Sequence, residues 1–369
     1  MWFLAFTLLP LVGAIYVLWH VWQLLPFGWP VRALVVVVAL SALGMMGVGF
    51  SHLRDGLSID QAAFVYRVGN SSLFVLIYLV LAFLVLDVLR LVHVVPAGWL
   101  HANLRVTLVL ACVLTAVFVG GYVHYGHKVR RTLALDAHGK VERPVRVVML
   151  SDLHIGYHID RSEVARWVDL INAEHPDLIL LGGDIVDISV RPIREGHVAE
   201  ELRRLEAPVY ACPGNHEYYS GIREAGQFYR EAGITMLRDS AVVAGGLCIV
   251  GRDDRTNGRR RALADIMGGL PAEAAGRYTI VLDHQPYHLE EAQQCGVDFQ
   301  FSGHTHYGQM WPVSWITDAL YECAYGPLTK GATRYYVTSG MGIWGAKFRI
   351  GTCSEYVVAT VGDGQNVAR

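Results

Sequence analysis

The sequence is short of charge: only 17% of its 369 residues are Asp, Glu, Lys or Arg, against a hydrophobic fraction of 53%. That balance is too apolar for an ordinary soluble enzyme of this length. The formal net charge is -2, so no global field draws the chain to nucleic acid, and a nuclease is the least supported reading. Cys112, Cys212, Cys248, Cys295, Cys323 and Cys353 form no CxxC pair and no regular framework. Reduced, buried thiols in a cytosolic setting fit that scatter. Internal repeats and low-complexity tracts are absent. The opening stretch "MWFLAFTLLPLVGAIYVLWHVW" has neither a basic n-region nor a small-residue cleavage site, so it is expected to remain as a membrane segment rather than act as a removed signal.

The apolar excess sits almost entirely before about Tyr125. Four stretches there, at about 1–25, 31–50, 72–95 and 104–125, each approach the roughly 20 residues that span a bilayer. Pro10 leaves open whether the first lies in two pieces. Ser41, Gly44 and Gly47 in the second suit close helix–helix contact. Asp87 and Arg90 in the third read as an i,i+3 pair near a helix end, with a substrate pathway as the alternative. Basic residues near the span ends favour both termini in the cytoplasm, in a bacterial inner membrane. The tract His127-Lys128-Val129-Arg130-Arg131 reads as a juxtamembrane anchor. The expected organisation is a transmembrane helical domain over 1–127 with about four helices, a linker over 128–144, and a second domain over 145–369.

From Val145 the pattern changes to short apolar runs alternating with helical stretches. Strands are predicted at Val145–Leu150, Leu178–Leu181, Val209–Cys212, Tyr278–Leu282 and Val297–Phe301, with helices at Ser162–Ala173 and Ile193–Leu205. This alternation argues for an α/β layered fold. Each strand ends in polar groups: Asp152 and His154; Asp184; Asn215 and His216; His284; His304 and His306. Sites in open α/β sheets form at the carboxyl ends of strands, so residues far apart in sequence can meet at one edge. In an extended segment, residues i and i+2 point to one face, which would aim Asp152 with His154, and His304 with His306, into one cavity. Mixed imidazole and carboxylate suit Mn, Fe or Zn, and the lack of cysteine disfavours a structural zinc. Gly182, Gly183, Gly214 and Gly303 would let the backbone turn sharply beside them. The other histidines, His20 among them, read as surface or satisfied core. One Asp/His pair after a strand would be an ordinary turn or cap; five consecutive strand ends carrying ligand-type groups outweigh that reading.

The segments "SDLHIG", "GGDIVD", "PGNHE", "LDHQP" and "SGHTHYGQ" resemble, in order, the motifs of the calcineurin-like metallophosphoesterases, over Val145 to Val361. Within that superfamily the chain looks closest to a bacterial membrane-associated branch that includes hydrolases of UDP-2,3-diacylglucosamine. The resemblance implies a four-layer αββα sandwich holding two divalent metal ions, Mn first and Fe or Zn as alternatives. It implies that Asp152, His154, Asp184 and His306 bind the first metal. Asp184, Asn215, His284 and His304 would bind the second, with Asp184 bridging. His216 matches the catalytic histidine, and Asp187 the acid that orients it, although Asp187 could equally cap or salt-bridge. Two metals roughly 3.5–4 Å apart can hold the attacking and departing oxygens of an in-line displacement, with a bridging hydroxide as nucleophile.

The substrate is less legible. Trp311, Trp315, Ile316, Leu320, Tyr321 and Tyr325 are expected to pack as core, or else to form a hydrophobic flap touching lipid. Arg349 or Lys347 could pair with phosphate or lie at the surface. The basic run Arg252 to Arg261 could contact a headgroup, or be a solvated loop. A four-span anchor is excessive for a soluble substrate, which favours a lipid-linked phosphodiester or pyrophosphate, UDP-2,3-diacylglucosamine first. A tethered phosphodiesterase of a soluble nucleotide, and a membrane sensor or transporter with a regulatory phosphoesterase domain, are the alternatives. Nothing in the sequence sets the oligomeric state.

Overall fold

A computed structural model of the chain describes residues 2–364, with side chains from residue 8 onward. The chain divides into two compact units, the first up to Gly121 together with Gly345–Lys347, and the second the remainder from Tyr122.

The first unit is helical: α1 Trp2–Leu24, α2 Trp29–Phe50, α3 Ile59–Leu91 and α4 Leu104–Gly126. Helices α2, α3 and α4 are long and apolar enough to cross a membrane; the side chains described in α1 cover only Leu8–Leu24. Helix α3 starts earlier than expected. Ser58 and Gln61 form a reciprocal capping box at its start, satisfying two otherwise orphaned amides. Its 33 residues, at 1.5 Å each, reach about 50 Å, well beyond a hydrocarbon core of about 30 Å.

Two expectations for this unit change. Gly44 and Gly47 have open space around them, whereas a Cβ on Gly69 would lie 2.3 Å from the Met46 nitrogen and one on Gly49 3.4 Å from the Tyr66 Cα. Gly49 and Gly69 therefore carry the close α2–α3 crossing. Asp87 is engaged by α1: the Tyr16 hydroxyl donates to it at 2.7 Å and His20 Nε2 lies 3.0 Å away. His20 is buried, stacked on Phe83. Two side chains of α1 thus hold the one acid of an apolar stretch of α3, which an i,i+3 reading along α3 alone misses.

The second unit contains two six-stranded sheets. One runs β1(Lys128–Asp136), β12(Ser354–Gly362), β2(Val145–Leu150), β3(Leu178–Leu181), β4(Val209–Ala211), β5(Ile234–Met236). The other runs β10(Gly326–Lys330), β11(Thr333–Val337), β9(Phe299–Ser302), β8(Thr279–Leu282), β7(Leu247–Gly251), β6(Ser240–Ala244). Alternate residues of β2 and β3 serve two cores. Val147, Met149, Leu178 and Leu180 meet Ile249, Ile280, Phe299 and Phe301 of the other sheet, while Val148, Leu150, Ile179 and Leu181 pack with Trp167, Val168 and Phe228 of the covering helices. Val250 and Val281 face a third core with Leu263, Ile266 and Leu289. Three cores between four layers make the αββα sandwich.

The stretch expected to be a linker over 128–144 is structured over its first half. β1 pairs in parallel with β12 from Lys128↔Ser354 to Asp136↔Gly362. The alternation of Val129, Arg131, Leu133 and Leu135 is the period of a half-buried strand, and Leu135 is fully buried. Its basic residues are consumed inside the domain: Arg130 pairs with Glu174, and Arg131 with buried Glu355.

Phe301, fully buried between the sheets, has its ring 3.0 Å from where a Cβ on Gly182 would lie. Phe301→Ala is expected to destabilise the unit by about 3–5 kcal/mol; chemical denaturation in detergent, followed by tryptophan fluorescence, measures the loss.

Candidate metal centre

The candidate residues follow the carboxyl ends of β2, β3, β4, β8 and β9, and cross-bonds between their loops draw them together. The amide of Asp152 donates to the Gly183 carbonyl at 3.1 Å, and that of His154 to the Asp184 carbonyl at 3.0 Å. The amide of His304 donates to Asp152 Oδ1 at 3.0 Å. Glycines make the approach possible. A Cβ on Gly214 would lie 2.2 Å from Asp184 Oδ1, and one on Gly303 2.1 Å from Ser151 Oγ.

The mechanism of convergence differs from the pleat argument. Asp152, His154, Asp184, His304 and His306 have φ of 56°, 45°, 52°, 71° and 47°. All are left-handed, a conformation that costs on the order of 1 kcal/mol or more per non-glycine residue. Extended strands would spread these side chains along the sheet edge; tight left-handed turns fold them back over it.

Three groups of ligand atoms result, each within 4.8 Å: Asp152, His154 and His306; His154, Asp184 and His216; Asp184, His284 and His304. Asn215 Oδ1 lies 2.9 Å from His304 Nδ1. Asp184 is central: Oδ1 accepts from the His216 amide at 2.9 Å, and Oδ2 lies 3.0 Å from His284 Nε2 and 3.7 Å from His154 Nε2.

These residues fit a pair of cations. His284 Nδ1 lies 2.7 Å from the Gly182 carbonyl, which can only accept, so that nitrogen carries a hydrogen. His284 Nε2 then faces the Asp184 carboxylate, buried and without a hydrogen-bond partner. Lone pairs so placed need a proton or a metal between them. His154 Nε2 and His306 Nε2 meet similarly at 3.0 Å.

The charge pattern agrees. Burial, then the charge of His284, pushes His304 down to about 3, and burial with His154 and Arg349 holds His306 well below the ordinary imidazole range. Both offer neutral lone pairs at physiological pH. Burial opposes ionisation of Asp184, but His284 and the neighbouring imidazoles outweigh it and hold the carboxyl well down. Burial likewise opposes protonation of His284 and His216, and the carboxylates override it: His284 rises well above 6.5, and His216, beside Asp184 and Asp187, to about 9. Asp187 Oδ1 lies 3.2 Å from His216 Nδ1 and 3.4 Å from His154 Nδ1, so one carboxylate backs both rings.

Two supporting residues were not anticipated in these roles. Glu217, fully buried, accepts from the amides of Asp184, Ile185, Val186 and Gly214 at 2.6–3.0 Å. Its signal was the acid directly after Asn215-His216. Arg349, expected to meet phosphate or solvent, is fully buried. It donates to the carbonyls of His306, Ser339 and Gly342 at 2.8, 2.5 and 3.0 Å, and so braces the loop behind His306. The basic run is no solvated loop: Arg252 pairs with Asp283 and Glu291, and Arg260 with Asp283. The aromatic segment is not all core, since Trp311, Trp315, Ile316 and Leu320 are 46–64% exposed. Trp311 precedes and the other three lie along the helix Val313–Leu320, which sits so close to the His306–Gly308 turn that a Cβ on Gly308 would lie 2.4 Å from the Ser314 nitrogen.

Residues 145–308 match the calcineurin-like phosphoesterase family, and the chain carries a calcineurin-like metallophosphoesterase domain. An uncharacterized metallophosphoesterase of Helicobacter pylori is 30% identical over 219 residues, covering 58% of this chain and 59% of its own. A transmembrane protein with metallophosphoesterase domain from Danio rerio is 29% identical over 274 residues, covering 67% of this chain and 61% of its own. Phosphodiesterase YaeI of Escherichia coli is 29% identical over 238 residues, covering 60% and 85% respectively. The match thus spans about 59% of the length of the Helicobacter relative.

Two outcomes are expected. Because the raised His284 must lose its proton to buffer when a cation takes its Nε2, Mn affinity should tighten as pH rises from 6 to 8, with proton release detectable by calorimetry in buffers of different ionisation enthalpy. Asp187→Asn should lower the His216 pKa toward 6.5, moving the alkaline limb of the kcat profile to lower pH and reducing kcat about 10- to 100-fold.

Proposed function

We propose that this chain is a membrane-anchored, two-metal phosphoester hydrolase acting on a phosphodiester or pyrophosphate bond. The observation that carries the reading is the place of Asp184, which joins the buried His284–His304 pair to His154 and His216. Asp152, His154, Asp184 and His306 would hold one cation, and Asp184, Asn215, His284 and His304 the other. When bound, such cations acidify water and offset the charge of phosphoryl oxygens, with Mn the first choice for this donor set. His216, charged at neutral pH, is the proton donor to the departing oxygen. Asp187 holds that proton on the ring and fixes its plane.

The preferred substrate is lipid-linked, UDP-2,3-diacylglucosamine first, and the preferred setting is the cytoplasmic face of a bacterial inner membrane. The apolar helices, together with the exposed Trp311, Trp315, Ile316 and Leu320 on and just before a helix abutting the His306 turn, support it. Tryptophan and aliphatic side chains of this kind suit an acyl chain or a bilayer interface. A tethered phosphodiesterase of a soluble nucleotide is the second reading, favoured by the name of the Escherichia coli relative. A transport role draws no support from Asp87, which is engaged by Tyr16 and His20.

The test uses detergent-solubilised, Mn-reconstituted protein with UDP-2,3-diacylglucosamine and bis-p-nitrophenyl phosphate. Both should be cleaved, and Asp184→Ala should reduce both to background. His216→Ala should lower kcat by about 10²–10⁴ on a phosphodiester that expels an alkyl alcohol, and less on the pyrophosphate or the p-nitrophenyl diester, whose leaving groups depart without a proton. Cleavage of the diester alone would remove the lipid reading and keep the phosphoesterase one.

A further inference from the structure

The segment Arg252–Arg261 holds five arginines, and their fates differ. Arg252 and Arg260 are spent on Asp283 and Glu291. Arg261 donates to the carbonyls of Asp239 and Asp265. Arg259 is exposed. Arg255 is half-buried, and among the described residues no carboxylate lies within 4.0 Å of it. Its Nη2 donates to the Tyr287 carbonyl at 3.1 Å, while its Nε is buried with no hydrogen-bond partner. Asp283 and Glu291 act on it only from a distance, and a partly desolvated guanidinium with an unpaired Nε is a donor that an anion can complete.

Its place in the fold says where that anion would be. The segment follows β7, whose carboxyl end lies beside that of β8, from which His284 projects. Asp254 clamps the two loops together, with both its oxygens accepting from the Gln285 amide at 3.0 and 2.9 Å. The Arg255 guanidinium stands 5.6 Å from the Tyr287 ring. Tyr287 leans on Tyr321 at 4.8 Å, their hydroxyls 3.0 Å apart, and the Tyr321 ring lies 6.2 Å from that of His304. A wall of one guanidinium and two phenols thus runs outward from the His284–His304 side of the metal centre. Guanidinium and phenol groups can all donate to phosphate oxygens, and a guanidinium does so in a fixed fork.

We propose that Arg255, with Tyr287 and Tyr321, forms an anion subsite that takes a second phosphate of the substrate, adjacent to the phosphate that is cleaved. This rests on the phosphoesterase reading above and narrows it to substrates carrying two neighbouring phosphates. The single-phosphate diester is then a minimal substrate that leaves the subsite empty.

The test is calorimetric binding of UDP and UMP to full-length, Mn-loaded protein in detergent, with saturating Mn in cell and syringe. Wild-type protein should bind UDP about tenfold more tightly than UMP, the size of one charge-assisted contact. Arg255→Gln should remove most of that ratio, weakening UDP about tenfold and UMP less than twofold. Arg255→Lys should keep part of it, and Arg259→Gln all of it. Unchanged Mn content and thermal transition establish that the variants are folded; if Arg255→Gln is not, Arg255→Lys and Tyr287→Phe carry the test. An unaltered UDP/UMP ratio in the Arg255 variants, equal weakening of both ligands, or no preference in the wild type would overturn the subsite. Hydrolysis of bis-p-nitrophenyl phosphate, followed in parallel, separates the two claims. A wild-type protein that prefers UDP through Arg255 but cleaves nothing would sink the hydrolase reading and leave Arg255 as a diphosphate-binding site only.

Discussion

The candidate centre depends on burying like charges and like dipoles together. Two carboxylates and several imidazoles occupy a space from which water is largely excluded, an arrangement that isolated side chains would not adopt. Glu217 makes it possible from beneath. Its four accepted amides belong to Gly214 and to Asp184 and the two residues after it, so one carboxylate fixes the loops after β3 and β4 at once. Arg349 does the same for the His306 loop with carbonyls instead of amides. An anion satisfies donors on one side and a cation satisfies acceptors on the other. The backbone is thereby held in left-handed turns that it would not choose unaided.

Much of this was legible in the sequence, for a reason that can be stated. Ligand chemistry permits few residue types, and strand ends in an α/β layer are few, so Asp152, His154, Asp184, Asn215, His284, His304 and His306 stand out by type and position together. What failed was local geometry. The i,i+2 pleat argument assumes extended backbone, whereas positive φ at Asp152, His154, Asp184, His304 and His306 accompanies contacts between the loops of different strands. Tertiary context likewise hid Glu217 and Arg349, whose partners are backbone groups that leave no mark on composition. β1 was read as a linker because its partner strand lies at the far end of the domain, and a basic tract after an apolar helix is an equally good juxtamembrane signal. His20 looked like a lone histidine because Asp87 is on another helix.

In both units the polar side chains that most resist simple reading are those with partners distant in sequence. Asp87 is matched by side chains two helices away, and Asp187 by rings from two other loops. The basic segment shows the same rule: of five arginines that resemble a surface patch in a linear reading, Arg252 and Arg260 are neutralised by Asp283 and Glu291. Charge counted along a chain therefore says little about charge presented to a ligand, which in this segment comes down to Arg255, Arg259 and Arg261.

The pairing of β1 with β12 has a consequence for how the domain is made. Lys128 waits for Ser354, so 354 minus 128, or 226, residues must be synthesised before the first strand finds its neighbour. β12 also sits between β1 and β2, so until it arrives the edge of β2 is bare. Contacts of such high sequence separation form slowly, and an exposed edge invites pairing with other chains. At the ribosome, β1 emerges directly after α4, with the rest of the sheet still to come. The last strand thus acts as a keystone: the sandwich closes only after translation has passed it.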